Sequence, residues 1–266
     1  MDIGFTDEQE LLRETARRFL ESECDARFVR QRMAEPAAVT DEFWRKLADQ
    51  GWLGIVYPEE EGGSGLGLVD LALLMEEMGR AVMPGPFLST VLLGGAAIAE
   101  AGSPAQRRQW LPQIAGGGAK AALAWTEPNL RWDAAGIALP ARETGAGFTL
   151  SGTKLFVGDA HLAHILVVAG RTRDGSTMED GISLFLVPNN APGLEVALLP
   201  TIDETRKLCE VQLDNVILPA GSLLGEIHQG WAPLSRVIAR ATVALAAEMC
   251  GGAQQVLDMT VAYAKI

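Results

Sequence analysis

Gln113-Ile114-Ala115-Gly116-Gly117-Gly118-Ala119-Lys120-Ala121-Ala122-Leu123-Ala124-Trp125-Thr126-Glu127-Pro128 is the stretch on which the reading of the fold turns. Upstream of the three glycines, apolar residues recur every three or four positions, the period of a helix with one buried face. Leu11, Leu12, Ala16, Phe19 and Leu20 do so across Asp7–Glu23, behind a capping Thr6. Phe43, Trp44 and Leu47 do so across Asp41–Gln50, before a stop at Gly51, and Leu68–Arg80, Ser89–Ala101 and Pro104–Ala115 are predicted as further helices. Downstream, short apolar or alternating runs are separated by turn residues, which predicts strands at Ala121–Glu127, Gly147–Val157, His164–Arg171, Ile182–Pro188, Leu194–Leu199 and Leu208–Leu218. Ser151-Gly152, inside Thr149–Lys154, suits a tight hairpin.

From about Gly230 a single Ala-, Val-, Leu- and Met-rich helical pattern runs to Ile266 with no Gly, Asn or Pro exit signal. An apolar helix of that length needs partners. The expectation is a fragment whose continuation supplies an antiparallel helical bundle.

Composition narrows the function classes. With 266 residues and 48% hydrophobic content the chain has ample material for a core, and its net charge of −12 argues against binding nucleic acid through phosphate neutralisation. Its three cysteines, Cys24, Cys209 and Cys250, form no CxxC pair and read as reduced intracellular thiols. The opening Met1–Glu10 is acidic where a targeting peptide would be basic. Leu88–Ala99, the most apolar stretch, is interrupted by Gly94 and Gly95 and is too short to span a bilayer. A soluble cytoplasmic protein is expected, with neither nucleic acid nor membrane as partner.

Several motifs fail on inspection. Leu53–Val56 followed by Gly62-Gly63-Ser64-Gly65-Leu66-Gly67 imitates a dinucleotide loop, but the glycine spacing is wrong and Glu59, Glu60 and Glu61 would repel a pyrophosphate. It reads as a glycine-rich link between helices. His161 and His164 have only Asp159 as a carboxylate companion, so no metal site is expected. There is no GxSxG nucleophile elbow.

A set of passages, in order, resembles the acyl-CoA dehydrogenase family. They are Phe43–Gly65, Trp110-Leu111-Pro112, Ala124-Trp125-Thr126-Glu127-Pro128, Leu150-Ser151-Gly152-Thr153-Lys154, Ala163–Val168, Leu223-Leu224-Gly225-Glu226 before Gly230-Trp231, and Gln254–Tyr263. The resemblance implies an α+β fold. Residues 1–118 would form an N-terminal all-α domain, 119–226 a central antiparallel β-barrel domain, and 227–266 the first helix of a C-terminal four-helix domain. It also implies α,β-dehydrogenation of an acyl-CoA thioester, with hydride passing to N5 of FAD and a proton to a carboxylate base. Implied partners are the acyl-CoA substrate, an electron-transfer flavoprotein or similar acceptor, and homo- or hetero-oligomeric related subunits.

By position, the resemblance lays Leu123, Trp125 and Thr126 along the flavin ring, with Phe156, Val157 and Gly158 beside its N5. Arg240 and Trp132 fall to the substrate side, although an ungapped count to the family's CoA-contacting arginine lands on Thr242. No catalytic base is named, because the family's glutamate is expected beyond residue 266. In members that carry it on the helix opening the last domain, the matching position here is Ala241. Glu248, two turns on, reads as a solvated surface charge.

Two departures stand out. The family's Gly-Ser-Asp is Arg131-Trp132-Asp133 here, so a bulky ring replaces a hydroxyl and Arg131 is left to meet a phosphate by charge. Gly158 replaces a hydroxyl residue. Both favour an alternative role, a flavin-poor partner subunit of a heteromeric dehydrogenase. A relative with oxidase or monooxygenase chemistry is a third reading.

Overall fold

The computed structural model describes residues 4–175 and 177–266, so Met1–Ile3 of the acidic start lie outside it. Helices α1 (Asp7–Glu23), α2 (Ala26–Met33), α3 (Asp41–Asp49) and α4 (Leu68–Arg80) are followed by a π-helix (Leu88–Gly95) that continues as α5 (Ala96–Ala101), and then by α6 (Pro104–Ala115). Their starts are chemically defined. Thr6 and Gln9 cap α1 reciprocally, each side chain accepting the other's backbone N–H at 3.2 Å. Ser103 and Gln106 do the same for α6, with Pro104 in its first turn. The unexpected α2 starts where Asp25 accepts from the Phe28 N–H at 2.7 Å.

Between α3 and α4 the chain makes only short 3-10 turns, Trp52–Gly54 and Glu59–Glu61. A Cβ on Gly63 would overlap the Tyr57 carbonyl, so this glycine serves a tight chain crossing. Tyr57 is fully buried and its hydroxyl donates to the Val91 carbonyl at 2.8 Å, satisfying an acceptor inside the π-helix.

Strands β1 (Ala121–Ala124), β2 (Ala141–Thr144), β3 (Gly147–Gly158), β4 (Ile165–Arg171), β5 (Ile182–Pro188), β6 (Leu194–Leu198), β7 (Leu208–Pro219) and β8 (Leu223–Leu224) make two four-stranded sheets, ordered β1-β4-β5-β8 and β2-β3-β7-β6. Pairing is antiparallel except for β1 with β4, which are parallel because the chain visits the other sheet between them. The first sheet is buried on both faces. Leu123, Val167 and Leu184 pack with the helices, while Ala124, Val168 and Phe185 pack against the second sheet. Two-sided burial makes β4 and β5 continuous apolar runs, whereas β7 alternates.

Two expectations are corrected. The β1 strand ends at Ala124, three residues early, because Trp125–Glu127 turns away to meet β3. Ser151-Gly152 is not a hairpin: β3 passes straight through it with a register shift between Leu150 and Gly152, and the turn lies between β2 and β3. Strands β2 and β8 were also not expected.

Helix α7 (Trp231–Ala264) buries Leu234, Val237, Ala241, Ala244 and Gly251, a stripe with coiled-coil-like spacing. Where it crosses α4, a Cβ on Gly251 would overlap the Glu76 carbonyl and one on Gly79 would overlap that of Glu248. The other faces of α7 leave Val243, Met249, Val256, Leu257, Met259 and Tyr263 exposed. Gly251→Ala must push the two helices apart. It is expected to cost about 2–3 kcal/mol, read as a lowered urea midpoint, with Gly252→Ala, whose Cβ meets nothing closer than 3.5 Å, much milder.

Candidate functional site

The sequence-predicted site rests on a buried ion pair. Lys154 of β3 is fully buried, and its Nζ donates to Glu127 Oε1 at 2.6 Å and to the Trp125 carbonyl at 3.4 Å. The same Glu127 oxygen accepts the Ala138 and Leu139 N–H groups at 3.0 and 2.9 Å. These contacts fasten the segment leaving β1 to the middle of β3. Beside them the Leu155 N–H donates to the Thr126 carbonyl at 3.0 Å, and the Thr126 hydroxyl donates to the Leu155 carbonyl.

Directly after Leu155 the strand bulges. The register shifts between Lys154 and Val157, and Phe156 takes the left-handed φ of +55°, uncommon for a bulky residue. The bulge turns Phe156 outward to 40% exposure. Trp132 stands 66% exposed with its ring edge-on to Trp125, centroids 5.6 Å apart. Trp125–Thr126 is thus a pinned segment with one open aromatic ring against Trp125 and another next to its partner Leu155.

Not every predicted residue presents its side chain here. Leu123 faces the helical core and Val157 lies between the sheets, both buried. Gly158 adjoins the π-helix, with Ser89 Cβ 3.4 Å from where its own Cβ would stand. Arg240 is on the outer side of α7, where it and Arg236 bind Glu100 of α5 at 3.1 and 2.6 Å. Arg131 forks onto Asp133 at 3.0 and 2.6 Å, so its charge is already engaged. Glu248 is corrected: it is half-buried and ion-paired with Arg206, held there by the α4–α7 crossing rather than solvated. His164 Nδ1 accepts the Lys120 N–H at 3.0 Å. A cavity of about 510 Å³ between α1, α2 and the far half of α7 has none of the predicted site residues in its walls.

Sequence reasoning quoted Glu127 and Lys154 only as parts of motifs and missed their partnership. A lysine in an alternating strand gives no signal that it points inward. In sequence Ser89 marks only the start of a helix, one hydroxyl in an apolar run.

A helical layer on a doubly covered sheet, backed by a second sheet and closed by one long helix, defines a class of scaffold. Residues 6–118 match the acyl-CoA dehydrogenase N-terminal domain and residues 122–216 its middle domain. The chain belongs to the acyl-CoA dehydrogenase family. It is 30% identical to probable acyl-CoA dehydrogenase YngJ of Bacillus subtilis, over 100% of this chain and 70% of that protein. It is 32% identical to acyl-CoA dehydrogenase FadE12 of Mycobacterium tuberculosis, over 85% of this chain and only 59% of that protein. A glutaryl-CoA dehydrogenase from Mycobacterium smegmatis, solved in complex with FADH2, superposes with a TM-score of 0.88 at 25% identity, over 97% of this chain and 66% of that one. No helix among the described residues is long and apolar enough to cross a membrane.

Removing one partner of a buried pair leaves the other charge alone. Lys154→Met is therefore expected to cost about 3–5 kcal/mol in denaturant unfolding. Burial holds the Lys154 ammonium down at about 8, against the opposing pull of Glu127, from an ordinary 10.5. Between those values the unfolded chain carries more protons than the folded one, so this lysine makes stability rise with pH across that window. Comparing wild type with Lys154→Met at about pH 8 and about pH 10 checks this, the variant lacking that increment.

Proposed function

We propose that the full protein carries out FAD-dependent α,β-dehydrogenation of an acyl-CoA thioester, with the carboxylate base lying outside residues 1–266. The observation that carries the reading is the pinned Trp125–Thr126 segment together with the exposed rings of Trp132, against Trp125, and Phe156, next to Leu155. A planar heteroaromatic ring fits such a place by stacking and edge contact. Trp125, Thr126 and Phe156 would hold the flavin, with Leu123 and Val157 shaping the backbone beneath it and Gly158 leaving room at its edge. FAD supplies the two-electron acceptor when bound. This chain's residues orient it and exclude water, and Arg240 and Trp132 remain candidates for the substrate side. We further propose the division 1–118, 119–226 and 227–266 for the domains, related subunits as oligomeric partners, a flavoprotein electron acceptor, and the cytoplasm as location, the last in keeping with three free thiols.

A second reading, a flavin-poor partner subunit, is favoured by Arg131 being tied to Asp133 and by the bulk of Trp132. One experiment separates the two. Purified full-length protein is expected to show a stoichiometric flavin spectrum that an acyl-CoA bleaches anaerobically, with Phe156→Ala weakening FAD binding roughly 3- to 10-fold. A colourless protein that becomes part of a yellow complex only with the product of a neighbouring gene would establish the second reading.

A further inference from the structure

Behind the Phe156–Gly158 edge lies a buried polar cluster. Asp159, left-handed at φ +51° and 5% exposed, places Oδ2 2.6 Å from Ser89 Oγ in the π-helix, and its backbone N–H donates to the Lys207 carbonyl at 2.8 Å. Ser89 Oγ is also 3.1 Å from the Pro86 carbonyl. Asp159 Oδ1 is buried with no hydrogen-bond partner.

Counting hydrogens favours one protonation state. The Ser89 hydroxyl has one hydrogen, and the Pro86 carbonyl can only accept. An ionised Asp159 could also only accept, so the single hydroxyl hydrogen would be divided between two acceptors or leave one contact lone pair against lone pair. With a proton on Oδ2, the acid donates to Ser89 and Ser89 donates to Pro86, and both contacts are hydrogen bonds. The unpartnered Oδ1 then belongs to a neutral acid rather than to a bare buried charge.

Several neighbours are held by partners of their own. His161 Nε2 donates to the Pro36 carbonyl at 2.7 Å, and its Nδ1 lies 3.4 Å from the Cys209 thiol. Burial pushes that thiol up to about 11, so it keeps its hydrogen. The Arg206 guanidinium is taken by Glu248 of α7, and Lys207 Nζ donates to the Met33 carbonyl at 2.8 Å. Burial is the largest influence on Asp159 and raises its carboxyl above the usual range, outweighing the opposing pulls around it.

We infer that Asp159 is a positioning residue that works as a neutral carboxylic acid: its proton, through Ser89 to the Pro86 carbonyl, fastens the end of β3 to the π-helix and fixes where the Phe156–Gly158 edge stands. The role as a flavin positioner rests on the reading of that edge given above. The protonation state does not.

Asparagine reproduces the neutral acid, an amide N–H standing in for the acid O–H. The infrared difference spectrum of full-length wild type minus Asp159→Asn near neutral pH is expected to contain the carbonyl stretch of a protonated acid. Carboxylate stretches in its place would overturn the proposal. A carboxyl whose folded-state pKa is raised keeps a proton that the unfolded chain has released, so wild-type stability falls as pH climbs from the ordinary carboxylate range to the raised value, and D159N lacks that slope. For FAD binding, D159N is expected to stay within about threefold of wild type while Asp159→Ala weakens it about tenfold. A D159N protein that does not fold, or that binds FAD no better than D159A, would also overturn the proposal. The infrared and stability arms need no flavin. A wild type that binds no FAD would therefore defeat the flavin reading and leave those two arms to decide the state of Asp159.

Discussion

A lysine ammonium with no exposure to water must find a counter-charge, and in this chain that requirement organises the site. Lys154 meets Glu127, and Glu127 in turn occupies the N–H groups of Ala138 and Leu139. Three separate stretches are thereby fixed together: the exit of β1, the loop leading to β2, and the centre of β3. The pair carries a desolvation cost that a hydrophobic replacement would avoid. What it supplies is register. It sets where Thr126 faces Leu155, and the bulge that turns Phe156 outward comes immediately after.

The rest of the fold makes that arrangement rigid. The first sheet has helices on one face and the second sheet on the other, so β1 cannot shift without disturbing two cores. Glycines allow the closest approaches. Gly94 lets the π-helix lie on Ala121 of β1, and Gly79 with Gly251 lets α7 lie on α4. The π-helix matters twice, since it receives Tyr57 on one side and offers Ser89 to Asp159 on the other. Strain at Phe156 and Asp159, both left-handed, sits where these layers meet.

Most of the architecture was legible because its signals are local. The apolar period marked α1, behind a capping Thr6, and α3, before Gly51, and two-sided burial wrote β4 and β5 as unbroken apolar runs. Elements that were missed carry opposite signals. α2 holds three arginines in eight residues and begins two residues after α1 ends, while β2 reads Ala-Arg-Glu-Thr. Ser151-Gly152 has the composition of a turn but serves a bulge, and only the pairing partner distinguishes the two. The site was legible as motifs and not as geometry. Nothing local says that Lys154 points inward, that Glu248 meets Arg206 across 42 positions, or that Ser89 reaches Asp159 across 70. Trp132 and Arg131 stand out in sequence, yet their partners, Trp125 and Asp133, appear only in three dimensions.

The most direct test is a crystal structure of the full-length protein with FAD. The account expects the flavin ring against Trp125, Thr126 and Phe156, its edge at Gly158, and the Lys154–Glu127 pair intact beneath it. A flavin bound at another surface, with this edge empty, would contradict it.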